Sequence, residues 1–371
     1  MKLTIERAAL LRSLGHVQSV VERRNTIPIL SNVLLEAADG SLSLTATDLD
    51  LAVVDHVAAD VGQGGAITTP AHTLYDIVRK LPDGAQVALE YGGEDQKLTL
   101  TSGRSRFVLA CLPREDFPVM AEDDLPHRFT LPVDQLAQLI DKTRFAISTE
   151  ETRFYLNGIY LHVTDEAEPA LIAVATDGHR LARVRLPLPD GAGGLPGVIV
   201  PRKTVGEVRK LLEEADGGVQ IGLSEGKIRF EFDGAVLTSK LIDGTFPDYV
   251  RVIPTANDRD LEVDAKLFAD AIDRVSTISN EKSRAVKFII EPERLTLAVN
   301  SPDSGSATEE IAAGYGSESM EIGFNARYVL DIMGQIVGDN VKLSLADSAA
   351  PTLVQDGGDD SALYVLMPMR V

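Results

Sequence analysis

Cysteine is all but absent from this 371-residue chain. Cys111 stands alone, so no internal disulfide can staple the fold, which suits a reducing cytoplasm. Long apolar runs are missing too. The start, Met1-Lys2-Leu3-Thr4-Ile5-Glu6-Arg7, lacks the apolar stretch of a signal peptide, and no segment approaches the ~20 apolar residues that span a bilayer. Positive charge is outnumbered, 36 Lys and Arg against 56 Asp and Glu, for a net charge of −20. That balance argues against a protein that sits on nucleic acid by bulk electrostatics. Catalytic signatures are also lacking: there is no nucleophile elbow, no phosphate loop ending in Gly-Lys-Ser/Thr, no HExxH and no CxxC. His16, His56, His72, His127, His162 and His179 show no metal-ligand spacing. No catalytic residue, metal or cofactor is therefore expected.

What the chain does have is a threefold repeat. Openings at Lys2, Arg128 and Asp260 each read as a short strand followed by a helix with apolar residues three or four apart; Leu3, Phe129 and Leu261 are equivalent, so the offsets are 129 − 3 = 126 and 261 − 129 = 132. Periods that long mean repeated domains, since solenoid repeats run at roughly 20–50 residues. A strand pair recurs at Asn32–Asp48, Asn157–Asp177 and Val286–Asn300. A second helix recurs with apolar spacing Leu74, Ile77, Val78, Leu81; then Val205, Val208, Leu211, Leu212; then Val329, Ile332, Met333, Ile336. The first two units close on Phe117-Pro118 and Phe246-Pro247. The expected class is α+β, three tandem two-helix, antiparallel-sheet domains over 1–125, 126–254 and 255–371, each with its own core. Asp48-Leu49-Asp50 and Asp177-Gly178-His179, the two places to seek a metal pair or acid–base work, are repeat equivalents, which favours a structural role at a strand end for both Asp48 and Asp177.

The distribution of charge qualifies its sum. Basic residues gather on or beside the expected helices, among them Arg23, Arg24, Arg79, Lys80, Arg202, Lys203 and Lys282, while acids concentrate in loops such as Glu122-Asp123-Asp124. Lys and Arg are good helix formers and decorate solvated faces on that ground alone. The alternative is a weakly basic helical surface backed by an acidic exterior.

Seven strings now bear on the question: Thr26-Ile27-Pro28-Ile29-Leu30, Arg153-Phe154-Tyr155-Leu156-Asn157-Gly158, Ala175-Thr176-Asp177-Gly178-His179-Arg180-Leu181, Val200-Pro201-Arg202-Lys203, Thr238-Ser239-Lys240-Leu241 running on to Phe246-Pro247-Asp248-Tyr249, Ser279-Asn280-Glu281-Lys282, and Met367-Pro368-Met369-Arg370. In that order they resemble the bacterial DNA sliding clamp family, the β subunit of DNA polymerase III. The resemblance implies a head-to-tail homodimer of three-domain subunits, a ring of six domains with helices lining the hole. Duplex DNA threads the hole and is held by topology, without sequence specificity. Expected partners are the polymerase subunit, an ATP-dependent clamp loader, and replication and repair proteins bearing a short Gln/Leu/Phe peptide motif.

The resemblance also implies sites. A peptide pocket between the second and third domains carries over to Leu156, Thr176, Gly178, His179, Arg180 and Leu181, with Pro247, Arg251, Val252, Val365 and Met367. Leu, Val, Pro and Met would make an apolar depression, and Arg180 and Arg251 would hold polar groups at its rim. A neighbouring subsite carries over to Arg153, Tyr155, Asn325, Tyr328, Pro368, Met369 and Arg370, with Ala349 and Pro351 as departures from the usual Val and Ser. Facing DNA would be Arg24, Arg79, Lys80, Phe154, Tyr155, Arg202, Lys203 and Lys282, with Glu150 set against phosphate. Phe107 and Leu109 would meet the partner's Ile278 at the dimer seam. The alternative is a monomeric scaffold of repeated domains that binds peptides and encircles nothing.

Overall fold

The structure is a computed structural model, and it describes residues 1–92, 97–121, 124–279 and 284–371. Lys282 lies outside the described residues. Among those described, six α-helices form: α1 (Arg7–Gln18), α2 (Ala71–Lys80), α3 (Val133–Asp141), α4 (Arg202–Leu212), α5 (Ala265–Ser276) and α6 (Ala326–Met333). Each follows a short strand, and each buries the stripe that its apolar spacing sets out. On α1 the stripe is Leu10, Leu14 and Val17, on α4 it is Val205, Val208, Leu211 and Leu212, and each such side chain contributes about 1.5–3 kcal/mol. Asp264 and Asn325 cap α5 and α6, their side chains accepting from backbone N–H groups of the first turn. No helix among the described residues is long and apolar enough to cross a membrane.

The chain divides into two compact units, Met1–Leu136 with Pro189–Leu195 and Lys203–Leu241, and Ala137–Leu188 with Pro196–Arg202 and Ile242–Val371. The middle repeat supplies strands to both units. In the first unit an eight-stranded sheet runs from His127–Pro132 through Gly218–Leu223, Lys227–Glu231 and Ala235–Lys240 onto Leu51–Ala58, Ser41–Thr47, Asn32–Ala38 and Gly65–Pro70. Strands of the first and second repeats meet where Ala52 stands opposite Thr238. In the second unit a nine-stranded sheet does the same for the second and third repeats, with Leu181 opposite Val365. The physical reason is edge pairing: each repeat offers an unsatisfied strand edge, and antiparallel pairing with the next repeat satisfies it.

The turn before each joining strand is also repeated. Thr47 Oγ1 accepts from Leu49 N and donates to Leu51 O, and Asp48 Oδ1 accepts from the N–H groups of Asp50 and Leu51. Thr176 and Asp177 make the same four bonds around Gly178, His179 and Arg180. Both carboxylates thus serve the backbone. The residue after each Asp has a left-handed φ, +88° at Gly178 and +80° at Leu49, and only the glycine adopts it without steric cost.

Each joint is tied by a basic side chain on or just past a helix and a carboxylate on a joining strand. In the second unit Lys142, just past α3, pairs with Asp359; burial would raise that carboxyl's pKa, but the Lys142 hydrogen bond, the Ser361 hydrogen bonds and the Lys142 charge hold it at about 2. In the first unit the basic group is His16 on α1. Its Nδ1 lies 2.6 Å from Asp55 Oδ2, and its Nε2 lies 3.3 Å from Glu214 Oε2, to which Arg12 also pairs. Burial would lower the His16 pKa, but the Asp55 hydrogen bond and the charges of Asp55 and Glu214 outweigh it and raise the pKa. A raised folded pKa gives stability that is full below the unfolded value near 6.5 and lost as pH rises through the folded value. Thermal unfolding of the wild type and His16→Gln should therefore differ more at about pH 6 than at about pH 9; a difference that grows with pH would contradict the tie.

Candidate peptide-binding and DNA-facing sites

The second unit gathers the residues expected to hold a peptide. Strand Arg180–Pro187 lies between Ala170–Thr176 and Asp359–Leu366, which puts Leu181 beside Val365 on one face. Beyond Leu366 the chain turns away: Met367 N donates to His179 O at 2.9 Å, and Met369 N to Gly323 O at 2.8 Å. Gly323 is required there, since a Cβ would lie 2.6 Å from Met369 O. The tail Met367–Arg370 is thereby laid along strand Met320–Asn325 instead of hanging free.

Depth separates the apolar residues into two groups. Leu156, Leu181 and Val365 are buried in one cluster with Phe246 and Tyr249, so they form a floor. Val252 and Met367 are by contrast 44 % and 36 % exposed, and Val250 is 61 % exposed. Pro247 is exposed as well. An apolar surface of this kind, open on one side and flanked by polar groups, suits Leu or Phe side chains.

Arg180 departs from the expectation of a rim group. Only 8 % of it is exposed. Its guanidinium pairs with Asp331 and with Asp177 Oδ2 at 3.1 Å, donates to Phe145 O at 2.6 Å, and lies 4.4 Å from the Tyr328 ring centroid. A planar fork with each of its three nitrogens engaged is a structural brace. It fixes Tyr328, which stacks on His179 at 6.0 Å. Sequence reading missed Asp331 and Phe145; Asp331 follows Tyr328 by three positions on one face of α6, and that spacing was the available signal. The exposed cations are Arg153, Arg251 and Arg370. Arg251 pairs with Asp248 at 2.7 Å with the Arg 85 % exposed, a tie too wet to hold it. Arg153 lies against Gly178, where a Cβ would come within 2.9 Å of its Nη1, and pairs with Glu150 at 3.2 Å, so the Glu150 charge is partly met. Asn325 caps α6 through its side chain.

Among the residues expected to face DNA, Arg24 and Arg202 are exposed. Lys80 is exposed at the end of α2, and Arg79 pairs with Asp76 at 3.2 Å. Phe154 is 51 % exposed and packs edge-on to Tyr155 at 5.7 Å. Lys203 departs from the expectation: its ammonium bonds Asp48 Oδ2 at 2.5 Å and Val20 O at 3.1 Å, so it braces the first joint. At the expected seam, Leu109 is 9 % exposed on strand Ser105–Ala110, the last strand of its sheet, with Phe107 half-buried and Val108 47 % exposed. Ile278 is half-buried past the end of α5.

Three family profiles, described as the N-terminal, central and C-terminal domains of the DNA polymerase III beta subunit, match residues 1–121, 130–248 and 250–370. The chain belongs to the sliding clamp family. It is 59 % identical over 372 aligned residues to the beta sliding clamp of Caulobacter vibrioides and 40 % identical over 374 to that of Escherichia coli K12, with all of each chain covered. It superposes on a crystal structure of the C. crescentus clamp with polyethylene glycol bound at TM-score 0.98 and 59 % identity, covering 100 % of this chain and 99 % of that one. A Pseudomonas aeruginosa clamp bound to griselimycin gives 0.94 and 41 % with both chains fully covered. This clamp is accordingly a processivity factor of DNA replication, with DNA and polymerase as partners.

The Arg180 brace carries a testable cost. Arg180→Met removes the cation shared by Asp177 and Asp331, leaving Asp331, among the described residues, only Arg327 at 4.0 Å, and should lower stability by about 2 kcal/mol. Denaturant unfolding checks this, and a change below about 0.5 kcal/mol would show the brace to be dispensable.

Proposed function

We propose that this clamp is a closed homodimeric ring of six domains, with boundaries near 125 and 254, that slides on duplex DNA in the cytoplasm and catalyses nothing itself. Family membership supports the ring. Strand Ser105–Ala110 supports the seam, since it ends its sheet and shows Val108 to solvent, an edge that a partner subunit would pair. Light scattering at micromolar protein should give twice the chain mass, and Ile278→Asp should give the chain mass by burying an unpaired charge. A wild type that stays a monomer would favour the scaffold reading.

We further propose that the pocket over Leu156, Leu181 and Val365 takes a short Gln/Leu/Phe peptide from polymerase, clamp loader and repair proteins. The single observation that carries this is the ordered tail, which holds Met367 at His179, two residues along from the buried pair Leu181 and Val365. The griselimycin-bound relative agrees that members of the family take ligands. Two apolar side chains supply roughly 3–6 kcal/mol before ordering costs, so micromolar affinity is expected. Deleting Met367 to Val371 should abolish peptide binding by calorimetry while the protein stays a dimer; unchanged affinity would remove the pocket assignment. Loose contact with DNA is supported by the exposure of Arg24, Lys80, Arg202 and Phe154, each within its own unit. Few phosphates neutralised means little counterion release, and thus steering without arrest.

A further inference from the structure

The repeat places a second cavity at the counterpart of the peptide pocket. In the first unit a groove of about 420 Å³ lies under the segment that carries Phe117 and Pro118. Asp55 turns toward α1, so its neighbours Val54 and His56 lie on the opposite face, with Ser43 and Thr45 across from them. That face is the groove floor. The pairing of Ala52 with Thr238 matches that of Leu181 with Val365, and Phe117-Pro118 matches Phe246-Pro247 in sequence.

The same register explains why the cavity is open. In the second unit the sheet face under Phe246 carries Tyr160, Ile172, Val174, Leu181, Leu363 and Val365, which pack into one cluster with it. Their counterparts in the first unit are Leu34, Ser43, Thr45, Ala52, Val236 and Thr238. Four of the six are smaller and three carry hydroxyls, so Phe117 cannot close the space. Val54 and Val236 are half-buried in it, Val119 is 79 % exposed at its mouth, and Met120 gives it an adaptable wall.

Charge names the occupant. Among the described residues the lining carries the cations Arg114, Lys227 and Arg229 against one acid, Glu36, on a chain of net charge −20. Glu36 pairs with Arg114 at 2.7 Å, Glu231 with Arg229 at 3.0 Å, and Lys227 Nζ donates to Ala121 O at 3.2 Å. The Arg114 and Lys227 ties are surface contacts that an acidic ligand can exchange, while the Arg229 tie runs through a buried Nε. We propose that the groove is a second peptide-docking site, for an acidic segment that buries one apolar side chain between Val54, Val236 and Met120. It borrows from the pocket reading only the analogy of position. The volume suits one or two side chains and no folded domain.

The test is a methyl NMR titration of the full-length protein with the probe acetyl-Glu-Leu-Glu-Phe-amide. Val54 and Val236 methyls should shift with a Kd of about 0.1–1 mM. Val236→Phe should abolish the shift by filling the groove, Arg229→Glu should weaken it about 10-fold, and the basic probe acetyl-Lys-Leu-Lys-Phe-amide should leave the wild type unshifted. Unshifted Val54 and Val236 methyls, or equal shifts with the basic probe, overturn the proposal. Shifts at Leu181 and Val365 alone overturn it while sparing the peptide pocket; shifts at Val54 and Val236 alone support it whatever becomes of that pocket.

Discussion

Backbone pairing between consecutive repeats is the constraint on which the rest of this clamp depends. A strand edge left open costs hydrogen bonds and invites aggregation. Here Ala235–Lys240 closes the edge of Leu51–Ala58, and Asp359–Leu366 closes that of Arg180–Pro187. Each joint is thereby a continuous stretch of sheet. A ring that must stay closed on DNA while it slides has use for joints of that kind. The helix-to-strand ties, His16 with Asp55 and Lys142 with Asp359, hold the helices over the same joints.

The two joints share one geometry and differ in side chains. Where the second has His179 and Met367, the first has Asp50 and Lys240, which pair at 2.8 Å. The backbone bond is the same in both, from Met367 N to His179 O and from Lys240 N to Asp50 O. An ion pair thus occupies the place that Met367 takes at the proposed pocket, so one joint offers an apolar surface and the other a charged one. Duplication supplied the frame, and substitution on the exposed face decided what each joint can bind.

Much of this was legible in the sequence. The threefold repeat, the helices and the equivalence of Asp48 with Asp177 follow from apolar spacing and from turn chemistry, both local signals. Joining of repeats through shared sheets was not legible, because pairing Val236 with Val54 depends on residues far apart in sequence. The buried state of Arg180 was hidden for the same reason: Asp331 and Phe145, its distant partners, are brought to it by the fold. Lys203 looked like a phosphate contact and is a brace to Asp48, since sequence shows that a cation is present and not what it already holds.

Topological attachment is the central claim, and its most direct test is release from DNA by cutting. The clamp is loaded on a nicked circular duplex by an ATP-driven loader, and the bound fraction is followed by gel filtration before and after the circle is linearised. The account predicts that protein stays on the circle at raised salt and leaves once the ends are free. Retention on linear DNA that persists at raised salt would mean that phosphate contacts hold the protein, and would contradict it.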